Sequence, residues 1–127
     1  MVINQSFTQK LIDIVGQEFV IVDKQDMIVY ESDGTHDKGM PDYVTLPGSV
    51  DEVSKLVLLA NEFSIPIIAR GSGTGLSGGA VPISGGLIIS VNRMNKIINI
   101  DADNATAEVE AGVINLDISN LLFTIIR

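Results

Sequence analysis

Hydrophobic positions along the chain fall into helical stripes separated by short continuous apolar runs. In "SFTQKLIDIVG", Phe7, Leu11, Ile12 and Val15 share one face, Ser6 and Gln9 have capping-box spacing, and Gly16 predicts the stop. A mostly polar connector, "DMIVYESDGTHDKGMPD", follows, with turn chemistry at Asp33-Gly34 and Met40-Pro41. "DYVTLP" predicts a short strand closed by Pro47. "SVDEVSKLVLLANEFS" is the clearest helix: Ser49 caps it, Glu52 completes a capping box, and Val53, Leu56, Val57, Ala60 and Phe63 recur at helical spacing. "IPIIA" predicts a buried strand, and "GGLIISVNRMNKIINID" and "ATAEVEAG" predict further strands. "INLDISNLLFTIIR" predicts a last helix with Ile118, Leu121, Leu122, Ile125 and Ile126 on one side. There are no internal repeats or low-complexity tracts, and no linker marks a second domain.

The stretch "ARGSGTGLSGGAVP", Ala69 to Pro82, interrupts this pattern with glycine at 71, 73, 75, 78 and 79. Gly73-x-Gly75-x-x-Gly78 after a strand satisfies the dinucleotide fingerprint as a string. That motif needs a helix beginning inside it, with the pyrophosphate on its N-terminus. Here Pro82 and Gly85-Gly86 leave no room for one. A Walker-A loop fails sooner, because no Lys-Ser or Lys-Thr follows the glycines. A backbone nest remains: successive small residues turn several N–H groups into one concavity suited to a diphosphate. Ser72, Thr74 and Ser77 add hydroxyls to its rim, and Arg70 adds either charge or a structural pair. The competing explanation is a hairpin that needs glycine only for positive φ.

Composition narrows the chemistry. At 127 residues the chain is one domain at most. A net charge of −8 argues against nucleic acid or an anionic membrane surface as partner. With no cysteine and one histidine, His36, neither a Cys- or His-based metal site nor a Ser-His-Asp triad is expected. No apolar run approaches the roughly 20 residues of a membrane span, and "MVINQSFTQK" lacks a signal-peptide layout, so a cytoplasmic location is expected.

Taken together, "PDYVTLPGSVDEVSKLVLLANEFSIPIIARGSGTGLSGGAVP" resembles the start of the FAD-binding domain of FAD-linked oxidases of the vanillyl-alcohol oxidase (PCMH) type, in the branch of glycolate oxidase D subunits and D-lactate dehydrogenases. The family's Pro-x-x-x-x-Glu-Val is matched by Pro47, Glu52 and Val53. Its R-G-x-G-T-x-x-x-G loop is matched by Arg70, Gly71, Gly73, Thr74, Gly78 and Gly79. "ISVNRMNKI", the run Val109 to Val113 and the upstream "YESDGT" extend the likeness from about Gln5 to Leu122.

The resemblance implies an α+β fold, the N-terminal portion of a PCMH-type domain: a small mixed sheet flanked by helices. Residues 1–40 would form a helical arm and connector, and 41–127 a partial FAD-binding domain. It implies that the Gly71–Gly75 segment, with Leu76 and Ser77, holds the FAD pyrophosphate. Pro47 would lie near the adenine end, Gly78 and Gly79 near the ribityl and flavin region, and Gly112 and Val113 against the cofactor. With Cys absent and His36 in the connector, FAD would bind non-covalently.

The family reaction is hydride transfer from a 2-hydroxy acid to flavin, with electrons passing to an acceptor that is often an iron–sulfur subunit. Family members continue beyond "AGVINLDISNLL" into more FAD-binding strands and a substrate domain, so no catalytic residue is expected here. A truncated, inactive FAD-binding portion is the expectation. The alternatives are half of a split enzyme restored by a complementing chain, and a nucleotide- or anion-binding module without flavin chemistry. Apolar surface left uncovered would favour self-association.

Overall fold

The computed structural model describes residues 4–125, so Ile126 of the last predicted apolar face lies outside the described residues. Its centre is a four-stranded mixed sheet made of β1 (Val20–Ile21), β2 (Tyr43–Thr45), β3 (Ile67–Arg70) and β4 (Leu87–Ser90), in the order β1-β2-β4-β3. Strands β2 and β3 run parallel to β4, and β1 runs antiparallel to β2. This is the small mixed sheet flanked by helices that the family resemblance implies.

The two central strands are buried on both faces, which is why "LIIS" reads as a continuous apolar run rather than an alternation. Tyr43, Leu87 and Ile89 point to one face, where helices α1 (Gln5–Val15) and α2 (Val50–Glu62) bring Phe7, Leu11, Val15, Leu56, Leu59 and Ala60. Val44 and Ile88 point to the other face, against Met27 with Ile21, Tyr30 and Ile68 packed around them. The Phe7 ring stands edge-on to Tyr43 at 4.9 Å, so the N-terminal helix belongs to the same core as the sheet.

Several local expectations shift. Helix α1 is capped by Asn4, whose Oδ1 accepts from the N–H groups of Ser6 and Phe7, so Ser6 is not the cap. In α2 Ser49 Oγ accepts from Glu52 N–H, and Glu52 Oε2 reaches back to Gly48 N–H at 2.7 Å, one residue before the usual partner. Val57 is 41% exposed and Leu59 takes its place in the core. Strand β3 is an edge rather than a buried strand, with Ile67 and Ala69 open to solvent.

Beyond the sheet, β5 (Ile97–Asp101) and β6 (Thr106–Val109) form an antiparallel hairpin, followed by α3 (Asn115–Ile125). The turn from Val91 to Met94 joins this unit to β4. Arg93 in that turn lies 3.3 Å from the Phe19 ring centroid and donates to the Leu46 carbonyl at 2.6 Å, tying the turn to the end of β2. On α3, Ile118 and Leu122 face the hairpin across a groove, whereas Leu121 and Phe123 are exposed. No described helix is long and apolar enough to cross a membrane.

Candidate functional site

Strand β3 delivers the chain to the glycine loop, and β4 lies beside β3 in the sheet. The connection between them contains no helix, as Pro82 and Gly85-Gly86 dictate. Gly71, Ser72, Gly73, Thr74, Gly75, Leu76, Ser77 and Gly79 line a cavity of about 350 Å³, completed by Ala69, Ala80 and Asp33. A second, more polar cavity of about 230 Å³ adjoins it through Ser72, with Asn92, Asn95, Gly112, Ile114 and Asp117 as its other walls. The structure therefore brings Gly112 to the same end of the molecule as the loop.

The loop's donors are unused within the chain. Among the described residues, the amides from Ser72 to Ser77 donate no hydrogen bond, and the hydroxyls of Ser72, Thr74 and Ser77 have no partner. Of the described carbonyls in the same stretch, that of Gly75 alone accepts a hydrogen bond, and two more are held just beyond it. Gly75 O accepts from Gly34 N–H at 2.9 Å, Gly78 O from Val81 N–H at 3.2 Å, and Ala80 O from Arg70 Nη1 at 3.3 Å. Amides and hydroxyls free of internal partners are what an anion requires.

The glycines divide into two kinds. Gly73 has φ +71°, and a Cβ there would overlap the Arg70 guanidinium. A Cβ on Gly112 would collide with the Val91 carbonyl oxygen and lie 2.9 Å from that of Met94, so this glycine also serves close packing. Gly71, Gly75 and Gly79 are the opposite case: a Cβ would meet nothing within 4 Å, and none has a positive φ. Nothing inside the chain requires them to lack side chains. All three line the cavity.

Arg70 is only 8% exposed. Its Nη1 also donates to Ser32 O at 2.9 Å and its Nη2 to Val29 O at 3.2 Å, with the Tyr30 ring 5.5 Å away. Its donors are directed at carbonyls, and it does not line the cavity. Pro47 is fully buried at the end of β2 and lines neither cavity. Gly78 and Val113 stand behind the lining, with Val113 N–H donating to Glu110 O. His36 is exposed in the connector.

Asp33 is the lining residue that sequence reasoning left in the connector. Its Oδ1 accepts from the Thr35 hydroxyl at 2.7 Å and the Thr35 N–H at 2.8 Å, while Oδ2 is buried without a hydrogen-bond partner. The Thr35 hydroxyl, then the Thr35 N–H, hold its carboxyl below the ordinary aspartate value. The nearby Ala80 amide and Arg70 charge act in the same direction, against partial burial. "Asp-Gly-Thr" alone reads as a turn, and only the upstream likeness pointed to it.

Residues 41–123 match the FAD binding domain family, and the chain belongs to that family. The chain is 40% identical over 116 residues to the glycolate oxidase subunit GlcD of Bacillus subtilis, covering 91% of this chain and 25% of that protein. It is 40% identical over 93 residues to a D-lactate dehydrogenase of Anaerostipes hadrus, covering 68% of this chain and 20% of that one. Among solved structures it resembles p-cresol methylhydroxylase with substrate bound, at a TM-score of 0.83 and 25% identity over 97% of this chain and 26% of that one. A 4-ethylphenol oxidase from Gulosibacter chungangensis gives 0.76 and 30%, over 85% of this chain and 22% of that one. The chain thus spans about a quarter of the length of these proteins.

FAD is the cofactor of this domain, and the residues present fit it. The open glycines leave room for a diphosphate against the backbone, and the unpartnered amides and hydroxyls would supply its donors. Neither cavity is lined by a Cys or His to which a flavin could be joined covalently.

Proposed function

We propose that this chain supplies the FAD-pyrophosphate site of an oxidoreductase acting on 2-hydroxy acids of the glycolate or D-lactate type. The observation that carries the reading is the pairing of free loop amides with Gly71, Gly75 and Gly79, whose missing side chains keep space that the chain itself does not use. The substrate class rests on the relatives' names, which are a glycolate oxidase subunit and D-lactate dehydrogenases. When bound, the flavin supplies a two-electron acceptor for the hydride of the hydroxyl-bearing carbon; the chain's part is to bind and orient it. Gly71 to Ser77 hold the pyrophosphate, and Gly79 and Gly112 let the backbone approach the rest of the cofactor.

Turnover needs more than these residues. A 2-hydroxy acid is an anion, and its carboxylate calls for a cationic partner such as Arg or Lys. Neither cavity is lined by one. In this reading the substrate site lies in the part of the relatives that the chain does not span. The chain alone is then inactive. The electron acceptor is an iron–sulfur subunit, and the location is cytoplasmic.

The test is to load the chain with FAD, add glycolate or D-lactate without oxygen, and follow the flavin's visible absorbance. The reading expects flavin to be retained and to stay oxidised. Bleaching by either acid would place a substrate site within this chain. Retention of ADP as tightly as FAD would favour a nucleotide-binding module without flavin chemistry.

A further inference from the structure

We propose that Arg70 is a positioning residue, the core of a latch by which the segment 29–39 holds the glycine loop in its anion-accepting shape before any ligand arrives. The proposal rests on the FAD reading for its consequence, and on the chain's own contacts for its mechanism.

The guanidinium joins two stretches of backbone that are far apart in sequence. It donates to Val29 O and Ser32 O on the segment and to Ala80 O at the far end of the loop, while the Arg70 backbone carbonyl accepts from Val91 N–H in the sheet. The segment then makes its own contact, Gly34 N–H to Gly75 O at 2.9 Å, where it passes so close that a Cβ on Gly34 would lie 2.8 Å from Gly75 O. The segment closes on itself through Gly39 N–H to Glu31 O at 2.8 Å and the Lys38–Glu31 ion pair.

The consequence follows from which atoms are held. The latch engages the carbonyl oxygens of Gly75, within the nest, and Ala80, just beyond it, and none of the amides from Ser72 to Ser77. An anion is repelled by carbonyl oxygens and attracted by amides. Fixing those two carbonyls from behind turns their dipoles away from the ligand and leaves the amides available. The guanidinium spreads its donors over Nη1 and Nη2, a reach that lysine, with its three N–H groups on one Nζ, does not reproduce. Gly73 is glycine so that the fork fits: a side chain there would overlap Nη2.

The experiment uses the full 127-residue chain without ligand, then with FAD and ADP. Amide hydrogen exchange is followed at Gly34 and, as a control in the sheet, at Leu87, whose N–H donates to Pro66 O. Arg70→Lys is expected to speed exchange at Gly34 by about tenfold or more while Leu87 keeps its protection. FAD and ADP should weaken together, by about tenfold. Gly34→Ala should do the same with Arg70 intact.

Weaker FAD binding with unchanged Gly34 exchange would make Arg70 a direct ligand and overturn the proposal. So would loss of protection at Leu87 alongside Gly34, which would make Arg70 a support of the whole fold. A loosened segment with undiminished FAD and ADP binding would separate the latch from the site. If the unaltered chain binds neither FAD nor ADP, the FAD reading fails. The latch is then still judged by exchange: separate release of Gly34 upholds it as a contact, and unchanged Gly34 overturns it.

Discussion

The Arg70 guanidinium occupies the space in which residue 73 would carry a side chain. A Cβ built on Gly73 would overlap Nη2 and sit 3.0 Å from Nε, and the backbone there has φ +71°. Gly73→Ala therefore meets both a strained conformation and a buried cation that must move. We expect a loss of about 2 kcal/mol in denaturant unfolding. Undiminished stability would mean that the fork moves aside freely.

Gly71→Ala and Gly79→Ala should behave in the opposite way. Their methyl groups would enter open space, so stability should stay within about 0.5 kcal/mol of the parent. The same methyl groups would intrude on the cavity, and FAD affinity should fall by about tenfold. Calorimetric unfolding and flavin binding on the same samples separate the two effects.

Asp33 gives the segment a pH dependence. Its folded-state pKa lies below the ordinary 3.8, first because of the Thr35 hydroxyl and then the Thr35 N–H, so the unfolded chain binds its proton at higher pH than the folded chain does. The stabilisation is fully present above the ordinary value and is lost as pH falls through the lowered one. Unfolding followed from pH 6 down to pH 3 (about that range, by linkage) should show stability declining at the acid end. Asp33→Asn should flatten that decline. An unchanged decline in the variant would assign it to other carboxylates.

The hairpin and α3 carry the apolar surface that the sequence expects to be left uncovered. Leu116 is 63% and Phe123 75% exposed, with Ile98 and Ile114 also open. The isolated chain should associate with itself as concentration rises, and Phe123→Glu should reduce that association in sedimentation velocity. A concentration-independent monomer would contradict this.

Much of this arrangement was legible in sequence because it rests on local rules. Ser49 and Glu52 mark a helix start by their spacing, "GGLIISVNRMNKIINID" marks further strands, and Pro82 with Gly85-Gly86 forbids the helix that a Rossmann loop needs. The loop was legible as a nest because small residues recur at the end of a strand. What was not legible depends on contacts between distant residues. Nothing in "YESDGT" shows that Ser32, Asp33 and Gly34 lie against a loop some forty residues on. Likewise Arg70 reads as charge beside an anion site until its three carbonyl partners are seen. Glycines look alike in sequence; only the empty space beside Gly71, Gly75 and Gly79 distinguishes them from Gly73 and Gly112. The exposure of Val57 and the edge position of β3 are tertiary outcomes that periodicity does not reach.

The central claim is that the loop's free amides and open glycines hold the pyrophosphate of FAD. The most direct measurement is a flavin-fluorescence titration of the chain with FAD, with ADP as competitor and riboflavin as a ligand lacking the diphosphate. The account predicts saturable FAD binding, weaker competition by ADP and no saturable binding of riboflavin. Riboflavin binding as tightly as FAD, or no saturable binding of FAD at all, would contradict it.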